Sequence, residues 1–251
     1  MNINKDIKVL GVISARIGST RVSRKMLKDV YGKTLICRAY ERTVQAKKLD
    51  ALVIATDSDE IEAEAKSFGA KVIRSIKEHA NGTERTAEAV KIFDEFLPDT
   101  VVTVWGDEPT YPASAIDDCI DLFHTGKFDV VIPSFKIHNP ASIDDPSVGK
   151  VVTDIHGRIL YLSRSTIPHN YKGASVDYYH ASGAMIMHRD FFDIYSSLPR
   201  TGLEAIEDIE QLRILEQGYS IGTIKTNFLN QGVNTPEDYE AVVQIYKERE
   251  G

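Results

Sequence analysis

Short runs of β-branched and other apolar residues, alternating with segments of helical periodicity, fill the first half of the chain and restrict its architecture more than any other feature. Residues 9–14, 52–56, 71–74, 100–104 and 129–133 read as buried strands, and 35–46, 59–68, 83–96 and 113–123 read as amphipathic helices. Strands that are apolar on both faces and alternate with helices imply a mainly parallel sheet, because a parallel return needs a crossover long enough to hold a helix. Those crossovers are right-handed. The fold class is therefore α/β: a twisted, mainly parallel sheet with helices on both faces. In such a sheet the ligand sits beyond the carboxyl ends of the strands. Chemistry-bearing residues should follow the strands, and they do. Residues 15–25 follow the first run, Asp57 the second, 79–85 the third and 106–109 the fourth.

The second half reads differently. Residues 150–154 and 158–163 form a hairpin around His156-Gly157, 184–188 and 220–226 are further strands, and 203–217 is a helix. Residues 235–247 form a closing helix with Thr235 as N-cap and Pro236 at its first position. In the helix over 203–217, Leu203, Ile206, Ile209, Leu212 and Leu215 make an apolar, core-facing stripe, which leaves Glu204, Glu207 and Gln211 on another face whose default is solvent. The chain reads as a single domain over 1–251, with residues of about 135–200 forming a smaller β-rich lobe that completes a pocket.

Charge and length exclude several classes. A chain of 251 residues has ample length for a core, and 37 acidic against 30 basic side chains give a net charge of −7. That sign argues against nucleic acid as the main partner. The apolar run over 9–13 is too short for a secretory or membrane-spanning segment, so the expectation is a cytoplasmic protein with no membrane partner. Cys37 and Cys119 form no recognisable metal or disulfide pattern and read as buried free thiols.

Three segments carry chemistry. In 15–25, Gly18, Ser19 and Thr20 offer backbone N–H groups and hydroxyls to phosphate oxygens, and Arg16, Arg21, Arg24 and Lys25 place four positive charges within ten residues of an acidic chain. A triphosphate needs such a cluster, since charge rises on the bridging oxygen as pyrophosphate leaves. Neither a Walker loop nor a Gly-x-Gly-x-x-Gly is present. Next, Trp105-Gly106-Asp107-Glu108-Pro109 follows an apolar run, where Gly106 allows close approach and Asp107 is placed to hold a hard cation. Last, His79 to Arg85 runs into a helix with Thr83 as its cap, and free N–H groups there suit a base or phosphate edge. Taken singly, each also fits a simpler reading: a solvated basic loop, an acidic turn, a capped helix start.

Taken in order, the segments resemble the 3-deoxy-manno-octulosonate (Kdo) cytidylyltransferases, within the Rossmann-like nucleotidyltransferases. The likeness rests on residues 15–27, Gly32-Lys33 with Leu35-Ile36, Ala55-Thr56-Asp57, Asn81 to Arg85, Gly106 to Pro109, Lys150-Val151-Val152, Ser163 to Pro168, His180, Leu203-Glu204, Ile209 to Arg213 and Gly232 to Asp238. It implies transfer of CMP from CTP to the anomeric hydroxyl of an acidic sugar, with Mg²⁺ as cofactor and pyrophosphate as product. It implies that Arg16, Lys25 and Asp107 are catalytic. It places Ala15, Arg16, Ser19, Asp57, Thr83, Arg85 and Gly106 at the nucleotide, and Trp105, Arg164, His180, Glu204 and Gln211 at the sugar. Asp107 and Asn234 match the metal positions. The same resemblance implies a homodimer formed through the smaller lobe and a role in lipopolysaccharide biosynthesis; the choice of cytosine rests on it alone.

Four positions depart from the family pattern. Val22-Ser23-Arg24-Lys25 stands where the family has Leu-Pro-Gly-Lys, and Trp105 replaces a Gln. Ala184 replaces a Tyr four residues after the pocket histidine, and Asn234 replaces an Asp of Gly-Val-Asp-Thr. An amide oxygen can coordinate Mg²⁺ but brings no charge. Open alternatives are a tolerated change that leaves the site intact, a weaker metal site, an acceptor that brings its own extra anionic group, a different acceptor acid on the same fold, and a nucleotide-binding regulator without catalysis.

Overall fold

The computed structural model describes residues 7–18 and 22–251. Its main sheet grows outward from β1 (Val9–Ala15), which pairs in parallel with β2 (Ala51–Thr56) on one side and β4 (Thr100–Trp105) on the other, with β3 (Lys71–Arg74) beyond β2. Side chains alternate across β1: Val9, Ile13 and Ala15 face one layer of the core, Leu10 and Val12 the other. On the first face pack α1 (Leu35–Thr43), α2 (Asp59–Ser67) and α4 (Ser114–Phe123). On the second packs α3 (Gly82–Ile92). Each buried Val, Leu or Ile side chain contributes about 1.5–3 kcal/mol, so this two-sided burial holds the parallel sheet together.

Helix starts follow the chemistry of their caps. Thr34, Ser58 and Asn81 accept hydrogen bonds from the N–H groups of Cys37, Ile61 and Glu84 and so begin α1, α2 and α3. The cap of α3 is therefore Asn81 and not Thr83, which lies inside the helix and is fully buried.

The strand expected over 129–133 is shorter, and the reason is a bend. β5 (Val130–Val131) belongs to the main sheet, and after Pro133 the chain continues as β6 (Ser134–Lys136) in a second sheet. The strand expected over 220–226 divides in the same way into β11 (Ile221–Gly222) and β12 (Lys225–Thr226). β11 runs parallel to β5 and β12 parallel to β6, with Ser134 and Thr223 hydroxyls 2.7 Å apart inside the bend. One bent pair of strands thus joins the two sheets.

The second sheet, in the order β12-β6-β9-β7-β8, contains the expected hairpin of β7 (Lys150–Thr153) and β8 (Ile159–Ser163), with β9 (Tyr179–Ala181) between β7 and β6. Short α5 (Ala141–Asp144) precedes β7. β10 (Ala184–His188) returns to the main sheet, antiparallel between β4 and β5, although its number falls within the range read as the small lobe. α6 (Phe191–Ser197) then packs on the α3 face. α9 (Pro236–Glu250) begins with a Thr235–Asp238 capping box and covers the opposite face through Val242 and Tyr246.

The helix expected over 203–217 is two helices, α7 (Gly202–Glu207) and α8 (Gln211–Glu216), separated at Asp208, whose φ of 51° is left-handed. Arg164 ends the first of them. Its guanidinium donates to the carbonyl of Glu207, to that of Asp208 at 2.9 Å and to that of Pro146 at 2.9 Å. Carbonyls that would have accepted from the next helical turn are taken. The break also reverses the expected faces. Ile206 is 81% and Leu203 37% exposed, while Glu204 (5%) and Gln211 (9%) are buried; of the apolar stripe, Ile209 and Leu212 reach the core and Leu215 packs against it.

Candidate active site

A cavity of about 570 Å³ opens at the carboxyl ends of β1 and β4. Ser14 and Arg16 line it from β1, His79 to Gly82 and Arg85 from the start of α3, and Trp105, Asp107 and Glu108 from β4. The small lobe adds Ser147, Gly149 and Arg164, and the α7–α8 segment adds Arg200, Glu204, Glu210, Gln211 and Arg213.

At its centre Lys25 Nζ donates to Asp107 Oδ2 at 2.6 Å and to the Val233 carbonyl at 2.9 Å. The lysine begins a 3-10 turn, Lys25–Leu27, whose preceding residue Arg24 has a left-handed φ of 52°. Position 24 is where the family pattern has Gly, and the turn keeps a glycine-like backbone without glycine. Arg24 itself pairs with Glu60 of α2, so this extra cation is spent on the scaffold. Gly106 is closely packed: a Cβ there would lie 2.6 Å from Met26 Cε, the end of a flexible side chain, and 3.0 Å from Ile13 Cγ2. It does not line the cavity, whereas Gly82 does, and a Cβ on Gly82 would meet Ser14 Oγ at 3.3 Å.

Arg85, nearly buried, donates to Asp57 at 2.7 Å, while its Nε has no partner among the described residues. Asp57 thus fixes Arg85 at the cavity wall and is not itself in the lining. Ala15 is buried as the last residue of β1. Thr83 lies beneath the cavity without lining it, and Ser19 lies outside the described residues.

The acceptor-side residues divide. Trp105 and Gln211 line the cavity, and the Gln211 amide makes no hydrogen bond among the described residues, which leaves it available to a ligand. Arg164 lines it as well, but backbone carbonyls occupy three of its five N–H donors. Glu204 reaches the wall with its carboxylate held by Arg213, Nε to Oε2 at 2.8 Å and Nη2 to Oε1 at 2.6 Å. His180 is elsewhere. It lines a neighbouring cavity of about 200 Å³, and burial lowers its pKa to about 4, so it is neutral at physiological pH. Asn234 lines this second cavity too, whereas Asp107 faces the first. The two expected metal positions are therefore close in the chain fold without sharing a cavity, and among the described residues no group of three His, Cys, Asp or Glu side chains forms a metal cluster.

A family model described as cytidylyltransferase matches residues 10–224. The chain belongs to the cytidylyltransferase family. Among curated proteins, this cytidylyltransferase is 40% identical over 244 residues to the 3-deoxy-manno-octulosonate cytidylyltransferase of Solibacter usitatus, covering 96% of this chain and 95% of that one. It is 37% identical to the 8-amino-3,8-dideoxy-manno-octulosonate cytidylyltransferase of Shewanella baltica, covering 90% and 94%. The solved CMP:2-keto-3-deoxy-manno-octonic acid synthetase complexed with CTP superposes with a TM-score of 0.88 at 30% identity, over 96% of this chain and 99% of the other. A 4-diphosphocytidyl-2C-methyl-D-erythritol synthase from Anaerococcus prevotii, at a TM-score of 0.63 and 13% identity over 96% and 99%, shares the fold. The cytidylyltransferase is thus an enzyme of the Rossmann-like nucleotidyltransferase fold.

Several cavity residues of this cytidylyltransferase escape sequence reasoning. Glu210 and Arg213 sit in the run 209–213 already singled out, but a continuous helix would have pointed them away. Glu210 accepts from the Tyr195 hydroxyl at 3.2 Å, Tyr195 accepts from Asn81 Nδ2 at 3.1 Å, and burial pushes the Glu210 carboxyl up to about 7. Burial beside Asp107 likewise raises Glu108 to about 7. Arg200 and Ser182 had no sequence signal at all.

Proposed function

We propose that this cytidylyltransferase transfers CMP from CTP to the anomeric hydroxyl of Kdo or a Kdo-like ulosonic acid and releases pyrophosphate. The observation that supports it most is the Lys25–Asp107 pair at the end of β4, facing a cavity whose nucleotide side ends on Arg16 and Arg85 and whose other wall carries Arg164, Arg200 and Arg213. The named relatives act on such sugars.

The reaction forms a bond between the acceptor oxygen and the α-phosphorus and breaks the bond from that phosphorus to the bridging oxygen. Negative charge collects on the departing pyrophosphate. The Lys25 ammonium, held by Asp107 and the Val233 carbonyl, is placed to offset it, and Arg16, exposed at the mouth of the phosphate loop, adds a second cation. Trp105 offers the acceptor an apolar plate and Gln211 an unpaired amide. The Asp107 carboxylate fits a magnesium ion: one oxygen is engaged by Lys25, while the other has no hydrogen-bond partner among the described residues and belongs to a side chain open to the cavity. Mg²⁺ favours such sites, with one or two carboxylates completed by waters and substrate phosphates. Asp107 would hold it, joined by Asn234 if that amide turned from the second cavity, and the ion would supply charge neutralisation on the phosphate oxygens.

Assembly and setting belong to the same reading. Ile155, Leu160 and Tyr171 are exposed on the small lobe and support a homodimer through it, measurable by light scattering. No helix among the described residues is long and apolar enough to cross a membrane, in keeping with work in the cytoplasm on CTP for lipopolysaccharide precursors. The test of the whole reading is pyrophosphate release by the purified protein with Mg²⁺ and CTP, comparing Kdo with related acidic sugars. CTP binding without release for any acid would overturn it in favour of a regulator.

A further inference from the structure

The large cavity and the 200 Å³ cavity behind it share Glu108, Ser147, Gly149, Ala181 and Ser182 in their walls. Within that shared wall, Glu108 is the carboxylate that ties two of its sides together. Glu108 accepts from Ser182 Oγ on one carboxylate oxygen and from Asn230 Nδ2, at 2.6 Å, on the other. Ser182 lies in the turn between β9 and β10, and Asn230 in the loop before α9, so the carboxylate bridges two elements distant in sequence.

The bridge is seated firmly. Gln231 N–H donates to Thr110 Oγ1 at 2.6 Å and Val233 N–H to the Asp107 carbonyl at 2.9 Å, which fastens the loop before α9 to the segment that carries Glu108. The glutamate stem lies against Gly232, where a Cβ would come within 3.0 Å of Glu108 Cγ. Behind the bridge, Lys136, Asn139, Asp145, Gln231 and Asn234 make a polar lining suited to hydroxyl groups. A space of that size holds several waters, each taking about 30 Å³ of liquid, or a few hydroxylated carbons.

We propose that the Ser182–Glu108–Asn230 bridge is a specificity partition. It sets the length of acceptor acid that the site accepts, and the cavity behind it is room for the additional hydroxylated carbon of a longer acid. This rests on the acceptor reading given above. It assigns Glu108 a positioning and size-limiting role separate from the Lys25–Asp107 pair.

The experiment measures pyrophosphate release with CTP and compares kcat/KM for an eight-carbon and a nine-carbon 3-deoxy-ulosonic acid. The wild-type protein should favour the shorter acid. Glu108→Ala should raise the nine-carbon to eight-carbon ratio at least tenfold, Ser182→Ala should move it in the same direction by less, and E108Q, which keeps the bulk, should leave it near the wild-type value. Ser182→Ala carries the test if E108A does not fold. A ratio unchanged within twofold in the alanine variants, an equal loss for both acids, or a wild-type preference for the longer acid overturns the partition while leaving the transferase reading intact. A wild-type protein inactive with every acid overturns both.

Discussion

Replacing Glu204 separates a ligand-contact role from a structural one. Its carboxylate and the Arg213 guanidinium form two hydrogen bonds of 2.6 and 2.8 Å, with side chains only 6% and 10% exposed, and the guanidinium lies 4.7 Å from the Tyr195 ring centroid. Glu204 Oε2 also accepts from the Thr201 N–H and closes the capping box of α7. Removing one partner of a pair buried this deeply strands the other charge, at a cost of about 3–5 kcal/mol. In a chain of this length each kcal/mol lowers Tm by roughly 2–4 °C, so Glu204→Ala should melt on the order of 10 °C below wild type. Arg213→Met should behave alike. The double variant Glu204→Leu/Arg213→Met should recover most of the loss, because well-packed apolar groups replace a buried pair at little net cost. Urea unfolding and calorimetry measure the stability, and pyrophosphate release measures KM for CTP and for the acceptor. A Glu204→Ala protein that melts within about 1 °C of wild type but binds the acceptor much more weakly would refute the reasoning and make Glu204 a sugar contact.

Three further outcomes follow from the site. Lys25→Met should lower kcat/KM by about 10²–10³, the loss typical of removing one donor to transition-state charge, with Tm little changed. Asn234→Asp should lower the Mg²⁺ concentration for half-maximal activity several-fold by adding a charged oxygen donor, read from magnesium titrations of both proteins. The third concerns pH. Because the Glu210 carboxyl titrates near 7 in the folded protein against an ordinary 4.5, the folded state binds the extra proton between those values, and stability falls as pH rises through that window. Glu210→Gln lacks this penalty and should gain about 3 kcal/mol over wild type between pH 4 and pH 8, whereas parallel stability curves would refute the assignment.

The period of the hydrophobic pattern made the sheet legible, since β1, β2 and β4 are apolar on both faces, the edge strand β3 keeps Val72 and Ile73 between its exposed Lys71 and Arg74, and the helices between these strands carry their own caps. Its failures are local and have causes. β5 and β11 are shorter than expected because the chain bends from one sheet to the other after Pro133 and after Gly222, and a strand-like pattern by itself does not say which sheet the strand joins. In the site, the lysine and aspartate were readable because each ends a strand-to-loop segment. Their direct contact, across 82 positions of chain, was not. The glycines show the same limit: Gly106 and Gly82 look equivalent in a sequence, and only the fold shows that Gly82 lines the cavity while Gly106 packs against Met26 and Ile13.

The reversal of the α7 face shows how a binding wall can invert a pattern that periodicity reads as core. With Arg164 ending α7 at Glu207, the short helix turns Glu204 toward the cavity and Leu203 and Ile206 toward solvent. The same contacts set how each arginine's charge is offset. Glu204 neutralises Arg213 at close range, and Arg200 pairs with Asp208 at 3.4 Å on the exposed side. Arg164 is oriented by three carbonyls, with the Asp208 carboxylate at 3.8 Å and the Glu207 carboxylate accepting from its backbone N–H at 2.9 Å. Two of its N–H donors remain for a carboxylate in the cavity, where two opposite unit charges 4 Å apart attract by about 4 kcal/mol at an effective dielectric of 20. The residue at the helix break is therefore also a cation at the cavity wall, held in place by its contacts with backbone carbonyls.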